Sequence, residues 1–154
     1  VEAADRKVAL VLANYPNKDG RLANGVGLDT PAATIDVLRT LDEAGYATRD
    51  LPVDSADLMA QILAGPTNWL TDRADKSGGE RLKLSDYLND YQQLPTVTRR
   101  RIEERWGKPQ ADPFFTAIEK DSGHFTLSIL HFGNVVVGVQ PAREIGRASC
   151  RERV

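Results

Sequence analysis

The sequence predicts an α/β fold: a parallel βαβ unit, then a helical insertion, then a C-terminal β-hairpin. Residues 7–13, which are apolar from Val8 onward, form a run of strand length, the pattern of a strand buried on both faces. Apolar residues at helical spacing follow the polar loop after this run. Near the C-terminus two apolar segments flank Gly133-Asn134, which is typical of a tight turn between strands.

The first helix is predicted from its end signals. Asp29 is a suitable N-cap, Pro31 fits the first helical turn, and Gly45 ends the apolar periodicity. A long polar loop, Asn14 to Asp29, connects the first strand to this helix. The run Tyr46–Leu51 is then expected to be a second strand, paired in parallel with the first through a right-handed crossover.

The middle of the chain is predicted to be mainly helical. One helix is expected after Asp54 and before Gly65-Pro66, followed by an irregular connection over Thr67–Arg81. Two more helices are expected over Leu84–Gln93 and Val97–Trp106, with Pro95 between them.

The final segment contains both histidines. A continuous strand over Phe125–Phe132 places His131 on the same face as Phe125 and Ile129, which alternation predicts to be the core face. His124 is seven positions from His131 and therefore lies on the opposite face of such a strand. A metal site built from the two imidazoles is accordingly disfavoured.

We divide the chain into residues 1–53 as the βαβ-type unit, 54–122 as the mainly helical insertion and 123–143 as the hairpin. Residues 144–154 resemble the translation of a sequencing adapter and are interpreted as a non-native tail. We expect 1–143 to be an internal piece of a larger multidomain protein. The single cysteine, Cys150, lies in the tail, so no thiol chemistry is expected from the rest.

Composition excludes several functional classes. The chain has 154 residues, 41% apolar and 27% charged, with a formal net charge of −2 at pH 7. This mildly acidic balance argues against nucleic-acid binding, which needs several cations against the phosphates. We find neither an apolar run of about 18 residues nor a signal peptide, so no membrane association is expected, and we predict a cytoplasmic protein.

The polar loop offers weak chemistry by itself. Gly25 and Gly27 precede a helix N-terminus, where backbone amides can approach an anion, but glycines serving a tight turn are the favoured explanation. Lys18, Arg21 and Asn24 in this loop are candidates for hydrogen bonds to a carboxylate.

Four segments in order carry a family resemblance. They are the loop from Asn14 through Gly45-Tyr46, then Leu63-Ala64-Gly65-Pro66-Thr67-Asn68-Trp69, Arg105-Trp106-Gly107, and Phe132-Gly133-Asn134 through Gln140-Pro141-Ala142-Arg143. Together they resemble the family of CobN and the magnesium chelatase large subunits. The last segment is similar to both branches, whereas Gly-Pro-Thr-Asn-Trp resembles the large subunits of aerobic cobaltochelatases in particular.

The resemblance implies a ligase that inserts Co²⁺ as a substrate into hydrogenobyrinic acid a,c-diamide during cobalamin biosynthesis. It further implies that ATP is hydrolysed, with Mg²⁺, on separate AAA+ subunits of the CobS/CobT type. The absence of a GxxxxGK[ST] phosphate loop from this sequence agrees with that division. The piece alone is expected to be inactive.

Such a reaction needs a group that accepts pyrrole protons, a cradle for the macrocycle and partners for its carboxylates. We take His131 as the candidate catalytic residue, although a structural histidine is the favoured alternative. The candidate substrate-binding residues are Lys18, Arg21, Asn24, Asn134, Gln140 and Arg143. The cobalt ligands are not identified.

The aromatic residues are further candidates for stacking on a macrocycle. Trp69 and Trp106 have this potential, whereas Tyr87 and Tyr91, four apart on a predicted helix, are expected to pack in the protein. Two other functions stay open: the large (H-type) component of a magnesium chelatase acting on protoporphyrin IX, and a non-catalytic scaffold that docks partner subunits.

Overall fold

The fold comes from a computed structural model that describes residues 1–14, 23, 27–67, 76–119 and 122–140. In this part of the chain the helices are α1 (Thr30–Glu43), α2 (Ser55–Ala64), α3 (Leu84–Gln93) and α4 (Thr96–Trp106). The strands are β1 (Val8–Leu12), β2 (Glu80–Lys83), β3 (Phe115–Glu119), β4 (Ser122–Leu127), β5 (Ile129–Phe132) and β6 (Val135–Val139). The predicted α/β class is confirmed.

The strands form two small sheets. In the first sheet β6 is central, parallel to β1 and antiparallel to β5. In the second sheet β4 is central and antiparallel to both β2 and β3. The predicted hairpin around Gly133-Asn134 is confirmed as the connection between β5 and β6.

The main core lies between the first sheet and the helices α1 and α2. Every second residue of β6 is buried, and Leu12 of β1 joins the same apolar cluster. From the helices, Ile35 and Leu38 of α1 and Leu58 of α2 belong to it. Burial of such side chains contributes about 1.5 to 3 kcal/mol each, so this cluster holds the parallel strand pair in place.

Both core helices begin as their sequences predict. The Asp29 side chain accepts the Ala32 N–H at 3.1 Å, and the Asp54 side chain accepts the Asp57 N–H at 2.9 Å. Each carboxylate satisfies an amide that would lack a helical partner.

A second apolar layer joins α3 to the second sheet. The Tyr87 ring lies 5.1 Å from the Phe125 ring and 5.5 Å from the Tyr91 ring, measured between centroids. The prediction that these two tyrosines pack within the protein is therefore confirmed, although Tyr87 is only half-buried.

The predicted strand over Tyr46–Leu51 is wrong. The strand that pairs in parallel with β1 is β6, the last strand of the described chain. The parallel pair therefore joins two segments that are more than 100 residues apart in the sequence. The segment itself turns sharply, since the Thr48 N–H donates to the Tyr46 carbonyl at 2.9 Å and Asp50 has a φ of 52°. Neither feature is compatible with an extended strand.

The predicted continuous strand over Phe125–Phe132 is also wrong. It breaks at Ser128 into β4 and β5, which belong to different sheets. The break resets the alternation of faces, so Phe132 is buried and His131 is exposed. The expectation that His131 lies on the core face therefore fails.

The segment 54–122 contains more than helices. It also supplies β2 and β3, the two edges of the second sheet. β2 reads Glu-Arg-Leu-Lys and only Leu82 is not exposed, so no apolar alternation marks it as a strand. None of the helices among the described residues is long and apolar enough to cross a membrane.

Candidate functional site

The candidate site lies at the carboxyl end of the parallel pair β1 and β6. Leu12 and Val139 are opposite each other in the last pair of the ladder, and the Gln140 N–H extends the ladder by donating to the Leu12 carbonyl at 2.8 Å. In α/β sheets this end of parallel strands is where ligands usually bind. The structure thus places Gln140, a predicted site residue, at a suitable position.

Asn14 is the most unusual polar residue at this end. It is 4% exposed and follows Leu12 by two positions, so it continues the buried face of β1. Its Oδ1 atom is buried and has no hydrogen-bond donor among the described residues. A buried acceptor without a donor costs about 1 to 3 kcal/mol, and such atoms in native proteins call for an explanation.

The chain is strained next to Asn14. Ala23 is 2% exposed and has a φ of 58°, in the left-handed region that a side chain disfavours. Its N–H donates to the Ala13 carbonyl at 2.9 Å, so it lies directly over the end of β1. Strained backbone and a buried acceptor with no donor in the described part of the chain therefore occur together at the end of β1.

The N-terminus of α1 is not an open anion site. The Asp29 carboxylate already caps Ala32, Pro31 has no N–H, and the Ala33 N–H donates to the Asp29 carbonyl at 2.9 Å. Gly27 has a φ of 74°, as expected of a glycine used in a tight turn. The tight-turn explanation is thus favoured at Gly27.

An open cleft of about 350 Å³ lies beside the carboxyl end of β6. Among the described residues its lining comes from α3, from the end of α4 with the turn after it, from the second sheet with Ser128 and Val139, and from Thr67 after α2. Its apolar lining comprises Leu82, Tyr87, Ile102, Trp106, Pro109, Phe114, Phe125, Leu127 and Val139. The volume is within the range of small-molecule sites.

Polar groups of opposite charge also line the cleft. Lys108 and Asp112 both belong to the turn after α4, which begins at Gly107 with a φ of 82°. Burial raises the pKa of the Tyr87 hydroxyl, and the nearby Asp112 carboxylate raises it further. Within the described residues the cleft thus combines aromatic surface with one cation, one anion and several hydroxyl groups.

Asn134 lies at the other end of β6. Its Nδ2 donates to the Ala4 carbonyl at 2.8 Å, its N–H donates to the Ala47 carbonyl at 2.7 Å, and its carbonyl accepts from Val8 at 2.9 Å. These bonds connect the hairpin turn to the N-terminal segment and to the segment after α1. The structure thus places Asn134 and Gln140 at opposite ends of the same strand.

His131 is likewise distant from the strand end that carries Gln140. It pairs with Val136 in the first half of β6 and is exposed on the edge strand β5. His124 is in the other sheet, opposite Lys83 and Thr116. Within the described residues no three His, Cys, Asp or Glu side chains are grouped as metal ligands would be.

The remaining predicted site residues lie outside the described part of the chain. These are Lys18, Arg21, Asn24 and Arg143, together with Trp69. Their roles stay predictions.

Sequence reasoning missed the importance of Asn14 within the loop and the cleft as a whole. The signal for Asn14 was present, because alternation from Leu10 and Leu12 places it on the buried face. The cleft had no such signal, since it forms where α3, α4 and two sheets meet.

Known proteins match the chain closely. The family model CobN/Magnesium Chelatase matches residues 1–151. The aerobic cobaltochelatase subunit CobN of Sinorhizobium sp. is 46% identical over 142 residues, which are 92% of this chain and 11% of that protein. The H component of the magnesium chelatase of Chlorobaculum parvum is 34% identical over 138 residues, 89% of this chain and 10% of that protein.

A solved structure agrees. The catalytic subunit of cobaltochelatase from Mycobacterium tuberculosis superposes with a TM-score of 0.69 and 30% identity, over 93% of this chain and 11% of that one. The chain thus spans about one ninth of the length of these relatives. The match of the family model over nearly the whole sequence shows that this chain belongs to the CobN/magnesium chelatase family.

Proposed function

We propose that the chain is part of a cobaltochelatase large subunit, which binds hydrogenobyrinic acid a,c-diamide and inserts Co²⁺ into it. In this proposal ATP is hydrolysed, with Mg²⁺, by AAA+ partner subunits of the CobS/CobT type, and the complex works in the cytoplasm. One observation carries the choice of metal. The chain is 46% identical to a cobaltochelatase subunit and 34% identical to a magnesium-chelatase subunit over similar lengths.

The role proposed for this part of the subunit is to position the substrate. The loop Asn14 to Asp29 and the strand end from Gln140 to Arg143 both begin at the carboxyl end of the parallel strands, because Gln140 is bonded to Leu12. Cationic and amide side chains in these segments suit the peripheral carboxylates and amides of a corrinoid. Lys18, Arg21, Asn24, Gln140 and Arg143 are the residues we assign to this task.

His131 and Asn134 are separate proposals. Both lie toward the amino end of β6, so a role for either in the reaction requires contact with another part of the substrate or subunit. We retain His131 as the candidate proton acceptor on this chain, because one ring nitrogen of a neutral imidazole can accept a proton.

The test uses the complete subunit with its ATPase partners. We expect cobalt insertion into hydrogenobyrinic acid a,c-diamide, and weaker binding of this corrinoid when Arg143 is replaced by Ala. Magnesium insertion into protoporphyrin IX would instead support the magnesium chelatase assignment. Failure to bind either macrocycle while binding the partner subunits would support a scaffold.

A separate measurement addresses the piece itself. We expect residues 1–154 alone to insert no cobalt even with the partner ATPases present. Cobalt insertion by this piece would contradict that expectation.

A further inference from the structure

We propose that the cleft between α3, α4 and the second sheet holds one edge of the flat, anionic macrocycle, with Trp106 as an exposed aromatic wall. This inference rests on the proposed function for the identity of the macrocycle. It assigns the contact to described residues that lie outside both the polar loop and the strand end.

The cleft presents aromatic surface from separate elements. Trp106 ends α4, Tyr87 belongs to α3 and Phe125 to β4, and all three line the same space. Tyr87 and Phe125 hold each other in place, with ring centroids 5.1 Å apart. Trp106, in contrast, is 64% exposed. A large exposed aromatic residue beside fixed aromatic walls is typical of a surface on which a planar group stacks.

Charge favours an anionic occupant. The whole chain has a net charge of −2, yet residues 96–108, which form α4 and the turn after it, carry five basic and two acidic residues, a net charge of +3. Lys108 lines the cleft, and the Arg105 guanidinium carbon lies 5.4 Å from the centroid of the Trp106 ring. A macrocycle with peripheral carboxylates would be attracted to the net positive charge of α4 and the turn after it.

The location connects the cleft to the strand end. Val139 lines the cleft, and it directly precedes Gln140 in the chain. The Val139 N–H donates to the carbonyl of Ser128, another lining residue, at 2.9 Å. A ligand in the cleft therefore lies against the last residues of β6.

A volume of about 350 Å³ accommodates part of a tetrapyrrole-sized ring rather than all of it. We therefore assign one edge of the macrocycle to the cleft.

The main test compares two residues of α4 with nearly equal exposure. Trp106 is 64% exposed and lines the cleft, whereas Val97 is 62% exposed and does not. In the complete subunit, Trp106→Ala should weaken binding of hydrogenobyrinic acid a,c-diamide about tenfold, as loss of an aromatic stacking partner does. Trp106→Phe should retain most of the affinity, and Val97→Ala should leave it unchanged.

The contribution of charge to binding is tested by comparing a lysine that lines the cleft, Lys108, with one that does not, Lys83. Lys108→Glu should weaken binding several-fold at low salt and less at about 0.5 M NaCl, because salt screens exposed charges. Lys83→Glu, an exposed residue of β2 outside the cleft, should have no effect. Equal effects of the two lysine variants would overturn the assignment of charge to the cleft.

Hydroxyl-radical footprinting of the complete subunit measures whether the Trp106 side chain is accessible to solvent with and without the corrinoid. We expect Trp106 to be oxidised in the free subunit and protected when the corrinoid is added. Protection in the free subunit would mean that another part of the subunit fills the cleft, which overturns the proposal. Binding of the corrinoid with no effect of Trp106→Ala would overturn the cleft assignment alone, whereas absence of corrinoid binding to the wild-type subunit would overturn the proposed function.

Discussion

Gly133 and Ala47 meet at the hairpin turn between β5 and β6. The Ala47 carbonyl oxygen accepts the N–H of Asn134 at 2.7 Å, and it would clash with a Cβ atom placed on Gly133. Gly133 also has a φ of 71°. This contact fixes the segment after α1 against the amino end of the central strand β6.

We predict that Gly133→Ala strongly destabilises the fold. The left-handed backbone costs a side chain about 1 to 2 kcal/mol, and here the Ala47 backbone must also move. Gly107→Ala is the control, because Gly107 has a φ of 82° but its nearest neighbour, the Ala111 Cβ, is at an ordinary 3.5 Å. Urea denaturation of the 154-residue chain should show the larger loss for Gly133→Ala, and equal losses would contradict the importance of the contact.

Replacing Asn14 should preserve or raise stability and weaken substrate binding. Asn14→Leu removes a buried Oδ1 atom that has no donor within residues 1–14, 23, 27–67, 76–119 and 122–140, at similar side-chain volume, so we expect the midpoint of thermal unfolding to stay equal or rise. The same change at Asn134 removes its bond to Ala4 and should cost about 1 kcal/mol. In the complete subunit, Asn14→Leu should weaken binding of the corrinoid. A lower unfolding midpoint for Asn14→Leu would show that its amide has a structural partner instead.

The stability should fall at high pH because of Tyr91. Burial raises the pKa of its hydroxyl, and the hydrogen bond with Glu103 raises it further. The unfolded chain then releases this proton at lower pH than the folded chain does, so stability is retained below about pH 10 and lost above it. Tyr91→Phe should give a flatter decline in the urea midpoint between about pH 9 and pH 11. An unchanged slope would contradict this assignment.

His131→Ala should leave folding intact. The imidazole is exposed on an edge strand, and surface substitutions of this kind usually change stability by less than about 0.5 kcal/mol. Circular dichroism melting of the variant should therefore match the wild type within error. Any change in cobalt insertion by the complete subunit with this variant can then be attributed to a role of His131 in the reaction. A large drop in the melting temperature would instead indicate that His131 has a structural role.

Local signals predicted the helices well. Asp29 and Asp54 cap the helices as expected, and α3 has the predicted bounds Leu84–Gln93. Capping and apolar periodicity depend on neighbours within a few residues, so they can be read from the sequence alone. The charged strand β2 and the break at Ser128 depend on which distant segments pair, and no local pattern contains that information.

The site was predictable only in part. The strand end at Gln140 was expected from the general behaviour of α/β sheets, and the structure places that residue beside Leu12. The partner of β1 was not, because Tyr46–Leu51 and Val135–Val139 are both short and partly apolar. Choosing between them required knowing that the Gly133 turn covers the first of these segments.

Ser128 alone separates β4 from β5, and it lies against Val139 at the wall of the cleft. The Val139 N–H donates to the Ser128 carbonyl, so this residue links the central strand of the first sheet to β4 of the second. The segment before β2 is bonded to the core as well, because the Gly78 N–H donates to the Ala64 carbonyl at the end of α2 at 2.9 Å. The second sheet is thus tied both to the first sheet and to a core helix, which favours a cleft of fixed shape.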